Sequence, residues 1–211
     1  MIPFNFLRRP FLMLPAMVFL LSTACSNPTT TTAPLPTDAV IVAFGDSITY
    51  GTGASREQSY PQLLEELVGR KVINAGIPGE TTAEGLARLP GVLESERPDM
   101  LILCLGGNDF LRKLDEGEVE KNLVAMVRLA RDRGTEVVLL GVPKLGFTLK
   151  THPLYARIAK EQNVPLQGKA LQRILSDRSL RSDYIHPNAD GYRQLAESVA
   201  KLLGKTGYVA R

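Results

Sequence analysis

Tryptophan is absent from this 211-residue chain, and histidine and cysteine occur only twice each. One cysteine, Cys104, lies inside the apolar run M-L-I-L-C-L (Met100 to Leu105) and reads as a small buried hydrophobe. The other, Cys25, lies near the N-terminus, so a structural disulfide is not expected. No pair of His or Cys has metal-ligand spacing, and nothing in the chain calls for a metal or another cofactor. Long apolar runs are missing too. Phe11 to Leu21 is interrupted by Pro15 and falls short of the ~20 apolar residues that cross a bilayer. Nor is there a surplus of one charge: 25 basic residues face 22 acidic ones, net +3. With no Lys/Arg-rich cluster, nucleic acid is not an expected partner.

The N-terminal residues carry a pattern of their own. Arg8 and Arg9 precede the apolar run, and Ser22, Thr23 and Ala24 follow it. A basic start, a short apolar stretch and a small-residue site read as an export signal over residues 1–24. Its removal takes two Arg and no acid, leaving a net charge of +1. L-S-T-A-C (Leu21 to Cys25) resembles a bacterial lipobox, in which the cysteine is lipidated and becomes the new N-terminus. Here Ser22 stands where leucine is usual and Leu21 comes one place early. Lipidation of Cys25 would hold the protein on a membrane surface. Ser26 after the cysteine resembles the pattern sorted to the outer membrane, so the expected location is the periplasmic face or the outer membrane. Residues 25–37, with N-P-T-T-T-T-A-P-L-P-T from Asn27 to Thr37, read as an extended tether. One domain is then expected over 38–204, monomeric, with a tail over 205–211.

Within that body, short apolar runs alternate with helical patterns. Ala39–Phe44, Lys71–Asn74, Met100–Leu105, Glu136–Val142 and the weaker Val164–Leu166 read as strands. Their apolar residues are continuous rather than alternating, as in strands covered on both faces. Helical spacing predicts helices over Tyr60–Val68, Thr81–Leu93, Glu118–Arg131, His152–Gln162, Leu166–Leu175 and Asn188–Leu203. Leu67 is placed on the buried face of the first of these. The alternation predicts an α/β fold, a three-layer sandwich around a roughly five-stranded parallel sheet. Working sites in such sheets lie beyond the carboxyl ends of the strands. Gly45-Asp46-Ser47, Asn74 to Thr81, and Gly107-Asn108-Asp109 all follow strands and so share that edge.

Ser47 needs a base before its hydroxyl is a useful nucleophile. Only His152 and His186 are available. Asp183 precedes His186 by three residues in D-Y-I-H-P-N, a spacing that lets a carboxylate bond Nδ1 and hold the ring. His152 has no acid within several residues and reads as a surface loop residue. Acyl transfer also needs donors for a tetrahedral oxyanion. The candidates are the N–H groups of Ser47 and Gly79 and the side-chain amide of Asn108. Singly, each residue has a plainer reading: a turn serine, a loop glycine, a capping asparagine, a surface histidine. Asp46 and Asp109 read as loop hydrogen-bonders that hold the turns.

Their order along the chain resembles that of the SGNH hydrolases, also called GDSL lipases/esterases. Ser47, Gly79, Asn108 and His186 fall on the four residues that name that family, and Asp183 falls in its D-x-x-H-P motif. Ile48 stands where the motif has leucine. G-E-T-T-A-E-G-L-A-R-L-P (Gly79 to Pro90) and L-G-G-N-D (Leu105 to Asp109) resemble bacterial arylesterases and the multifunctional acyl-CoA thioesterase/lysophospholipase within it. The resemblance implies a flavodoxin-like fold and ester hydrolysis with Ser47, Asp183 and His186 as catalytic residues. The stretch after Pro143, where acyl-chain pockets are usually shaped, is short and unlike the thioesterase, so substrate preference does not transfer. Small-molecule or lipid esters are the expected substrates. Thioesters, lysophospholipids, acetylated polysaccharides and non-catalytic binding are the alternatives.

Overall fold

The computed structural model describes Met1 and residues 34–144 and 149–209. The expected export signal, Cys25 and most of the tether lie outside the described residues. The chain divides into two compact units, Met1–Thr30 and Thr31–Arg211. The described core is drawn from residues between Leu35 and Val209, so the unit Thr31–Arg211 carries a hydrophobic core of its own.

Strand β1 (Val40–Gly45) is followed by β2 (Lys71–Gly76), β3 (Met100–Cys104) and β4 (Glu136–Leu140). A short antiparallel hairpin, β5 (Pro143–Lys144) and β6 (Lys150–Thr151), precedes β7 (Leu166–Gln167). Strands β1 to β4 and β7 form one parallel sheet in the order β2-β1-β3-β4-β7. That is the doubly wound order whose ligand crevice lies where the connections diverge, beside β1 and β3. β3 is buried at every position, and β1 at all but Val40, which explains their continuous apolar runs.

The connections are α1 (Ser47–Tyr50), α2 (Tyr60–Val68), α3 (Thr82–Glu96), α4 (Gly107–Leu111), α5 (Glu116–Arg131), α6 (Pro153–Gln162), α7 (Ala170–Ser176) and α8 (Ala189–Thr206). Helices α2, α7 and α8 pack together as one layer, and α3, α5 and α6 as the other. In α8, Tyr192, Leu195, Ala196, Val199 and Leu203 form the buried stripe. Each fully buried side chain of this kind contributes ~1.5–3 kcal/mol. Asn188 caps the start of α8 by accepting from the Gly191 N–H, so the helix begins after it, at Ala189.

Three readings of the sequence need correction. The helix read from Leu166 begins only at Ala170, because Leu166–Gln167 pair with β4 as the fifth strand, which the sequence placed over Val164–Leu166. Leu67 is exposed, on the rim of a surface groove that it shares with Ala200, Lys201 and Gly204 of α8. The body also extends past 38–204. Leu35 is buried and its N–H donates to the Tyr208 carbonyl at 2.8 Å. Helix α8 runs to Thr206, and Tyr208 and Val209 are buried, so 205–209 are not a free tail. A lone leucine in a Thr/Pro stretch and two apolar residues after Gly207 are too short to show a period.

Candidate active site

Register builds the site first. Gly45 lies level with Gly76 on one side and Cys104 on the other. The loops that leave β1, β2 and β3 therefore start side by side. A Cβ at Gly45 would stand 2.3 Å from both the Cys104 carbonyl and Thr49 Oγ1, so only glycine permits this approach. Asp46 then caps α1, its Oδ1 accepting from the Ile48 N–H at 3.0 Å. This puts Ser47 in the first turn of α1, where a backbone N–H has no intrahelical partner.

The last loop supplies the imidazole. Arg181 and Pro187 form a bridge, and the Ser182 N–H donates to the His186 carbonyl at 3.0 Å. Inside this closed loop, Asp183 Oδ1 accepts from the N–H groups of Ile185 and His186, both at 2.8 Å. Its Oδ2 lies 2.8 Å from His186 Nδ1, and His186 Nε2 lies 3.0 Å from Ser47 Oγ. A carboxylate can only accept, so Nδ1 carries the hydrogen and Nε2 of the neutral ring accepts from the Ser47 hydroxyl. Partial burial pushes Asp183 up, but the bonds from His186 and Ile185 outweigh it and hold the carboxyl below the usual range. The Tyr192 hydroxyl on α8 donates to the Thr52 carbonyl at 2.7 Å, tying α8 to the turn after Ser47.

Ser47, Asn108 and His186 line one cavity of about 240 Å³. Its walls include Ile48, Phe110, Leu111, Val142, Leu175 and Ile185, so it is apolar around a polar floor. Gly79 stands outside that lining, in a left-handed turn with φ +82°. Arg112 donates to its carbonyl at 2.8 Å. The structure thus joins Ser47, His186 and Asp183 directly, sets Asn108 beside them, and holds Gly79 on the neighbouring loop.

Asn108 Nδ2 donates to the Glu80 carbonyl at 3.0 Å and to Asp46 Oδ2 at 3.3 Å. Asp46 is 2% exposed. Burial raises its pKa from 3.8 to about 7, against the Ile48 N–H bond and with help from the charges of Glu80 and Asp109. Glu80 is paired with Arg88. Asp109 accepts from the N–H and hydroxyl of Thr82, which opens α3. Asp46 and Asp109 do hold the turns, as read from the sequence. Glu80, Arg88, Arg112 and Thr82, which brace the same loops, went unread. Arg112 carries no local signal, since its partner is 33 residues away.

His152 is not a loose surface residue. It caps α6, stacks on Phe110 at 4.8 Å and places Nε2 3.2 Å from Glu116 Oε2. Its acid comes from α5 and was invisible in the local sequence. Cys104 is buried and free, and burial pushes its thiol up, which keeps it protonated. Among the described residues, no group of three or more His, Cys, Asp or Glu is placed to hold a metal ion.

The fold and the crevice define the class: a three-layer α/β sandwich with a polar site at the carboxyl edge of a parallel sheet. Residues 43–194 match the GDSL-like Lipase/Acylhydrolase family, and the chain belongs to that family. It is 32% identical over 176 residues to the arylesterase of Vibrio mimicus, covering 78% of this chain and 88% of that one. It is 31% identical over 171 residues to "Thioesterase 1/protease 1/lysophospholipase L1" of Escherichia coli (strain K12), covering 77% and 82%. The crystal structure of TesA superposes with a TM-score of 0.71 at 29% identity, over 79% of this chain and 99% of that one. The chain is a carboxylic ester hydrolase.

Proposed function

We propose that this protein is a serine esterase of the arylesterase type, working through an acyl-enzyme on Ser47. The observation that carries the reading is the 3.0 Å approach of His186 Nε2 to Ser47 Oγ across 139 residues of sequence. His186 takes the Ser47 proton as the oxygen attacks the ester carbonyl. Asp183 keeps the proton on Nδ1 and stabilises the imidazolium. The N–H of Ser47, the N–H of Gly79 and the amide of Asn108 stabilise the oxyanion, each contributing ~3 kcal/mol. The alcohol leaves with the proton from His186, and water clears the acyl group by the same steps reversed.

The apolar cavity wall and the kinship to a thioesterase/lysophospholipase support longer acyl chains as the second reading. In both, the mature enzyme is exported, begins at Cys25 and is held at a membrane by its lipid. The support is the basic, apolar and small-residue order of residues 8–25.

Replacing Ser47 with Ala is expected to cut hydrolysis of a short p-nitrophenyl ester by at least about a thousandfold. Labelling by a fluorophosphonate should disappear with it, while the circular dichroism spectrum stays unchanged. Retained labelling at another residue would remove Ser47 from its role. Rates from acetyl to palmitoyl esters separate the two readings of chain length.

A further inference from the structure

Large apolar side chains left open to solvent are unevenly placed on this chain. Among the described residues, apart from Met1, they are Tyr50, Leu67, Ile77, Leu111, Leu114 and Tyr184. All but Leu67 stand at the carboxyl edge of the sheet, in α1, in the segments that follow β2 and β3, or in the His186 loop. Two groups flank the mouth of the Ser47 cavity. On one side, Leu111-Arg112-Lys113-Leu114 are four consecutive exposed residues, with both leucines 44% exposed. Leu111 and Lys113 also line the cavity itself. On the other side, Tyr184 is 78% exposed between Asp183 and Ile185. The Arg181 guanidinium lies 5.3 Å from its ring centroid.

The acids that follow the first group are engaged elsewhere. Asp115 caps α5, Glu116 pairs with Lys144, and Glu118 pairs with Lys121. Asp183 is held by His186. Among the described residues, Lys113 and Arg181 have no ion-pair partner, so the mouth presents leucine and tyrosine beside two unpaired positive charges. Leucine enters the acyl region of a membrane interface, tyrosine settles at headgroup level, and Lys or Arg is drawn to anionic lipid.

We propose that this edge docks on a lipid surface bearing anionic headgroups, with Leu111, Leu114 and Tyr184 entering the interface and Lys113 and Arg181 meeting lipid phosphates. The Ser47 cavity then opens directly against the bilayer, and lipid esters reach it without crossing water. The inference deepens the proposed esterase function by naming where its substrate comes from. Docking itself needs no catalysis.

The test uses residues 31–211 carrying Ser47→Ala, so that no lipid is consumed. Co-sedimentation compares vesicles of phosphatidylcholine alone with vesicles that also contain phosphatidylglycerol. Binding is expected to the mixed vesicles and to fall with added salt. Lys113→Gln should weaken it roughly fivefold. Leu114→Ser with Tyr184→Ser should weaken it at least about tenfold. Leu67→Ser, at the opposite edge, should leave it unchanged. With Ser47 restored, the Leu114→Ser/Tyr184→Ser variant should hydrolyse a soluble short-chain ester at the parent rate. Equal sedimentation with and without phosphatidylglycerol overturns the proposal, as does an equal loss in Leu67→Ser. A dimer formed without vesicles and dissolved by the double variant also overturns it, by giving the face to a second copy. Since binding is read in an inactive chain, a failed esterase reading leaves this result standing, and the converse holds.

Discussion

Asp46 is the residue on which the polar floor turns. It sits beside Ser47, is almost fully buried, and accepts from both the Ile48 N–H and the Asn108 amide. Yet the nearby charges are acids, and burial holds its pKa near 7 instead of 3.8. An acid raised in this way binds more protons folded than unfolded between those values. Its contribution to stability is full at the low end and is lost as pH rises towards about 7, a span worth on the order of 4 kcal/mol. Asp46→Asn cannot ionise, yet keeps an oxygen for the Ile48 N–H. Urea midpoints at pH 5 and pH 8 should therefore differ less in the variant than in the parent. Equal pH dependence in the two would mean that Asp46 is already ionised throughout. At Asn108 the effect is kinetic. Asn108→Ala should lower kcat about 100- to 1000-fold on a soluble ester and leave KM nearly unchanged, as expected for an amide that exchanges its 3.3 Å bond to Asp46 for the oxyanion in the transition state.

At the scale of elements, the edge of the sheet holds the site together. The level ends of β1, β2 and β3 place three loops in contact, and side chains then cross between the loops. Asp109, after β3, accepts the Thr82 N–H and hydroxyl at the start of α3. Asp109→Ala strips both bonds and should cost ~1–3 kcal/mol, read from the denaturant midpoint. Asp109→Asn, which keeps an acceptor, should lose less. Gly45→Ala is expected to be worse, because its methyl meets the Cys104 carbonyl backbone, which cannot step aside. The strands and long helices were legible because burial on two faces, or on one stripe, imprints a run or a period. The braces were not. Arg112 meeting Gly79, and Glu116 meeting His152, join elements far apart in sequence, and no local pattern records such a pair. His186 and Asp183 were legible because one closed loop holds both.

For the molecule as a whole, the two edges of the sheet have separate tasks. The carboxyl edge carries the proposed ester site, and the amino edge ties the ends of the chain together. Leu35 bonds the Tyr208 carbonyl, Arg70 donates to the carbonyls of Leu35 and Pro36, and the Tyr208 hydroxyl donates to Glu136 at the start of β4. This closure escaped the sequence reading because it rests on single apolar residues at each end. It matters because the proposed tether leaves the fold here, so any pull from a membrane anchor would reach β1 through Leu35. Deleting residues 207–211 removes Tyr208 and Val209 from the core and frees Leu35. The loss should reach ~3–5 kcal/mol, measured by thermal or urea unfolding. Ester hydrolysis well below the melting temperature should change less than about twofold, because Tyr208 bonds Glu136 and Leu35 at the amino edge, away from Ser47. A large loss of kcat in protein that is still folded would show that the two edges are coupled through the sheet. The tether would then act on catalysis as well as on location.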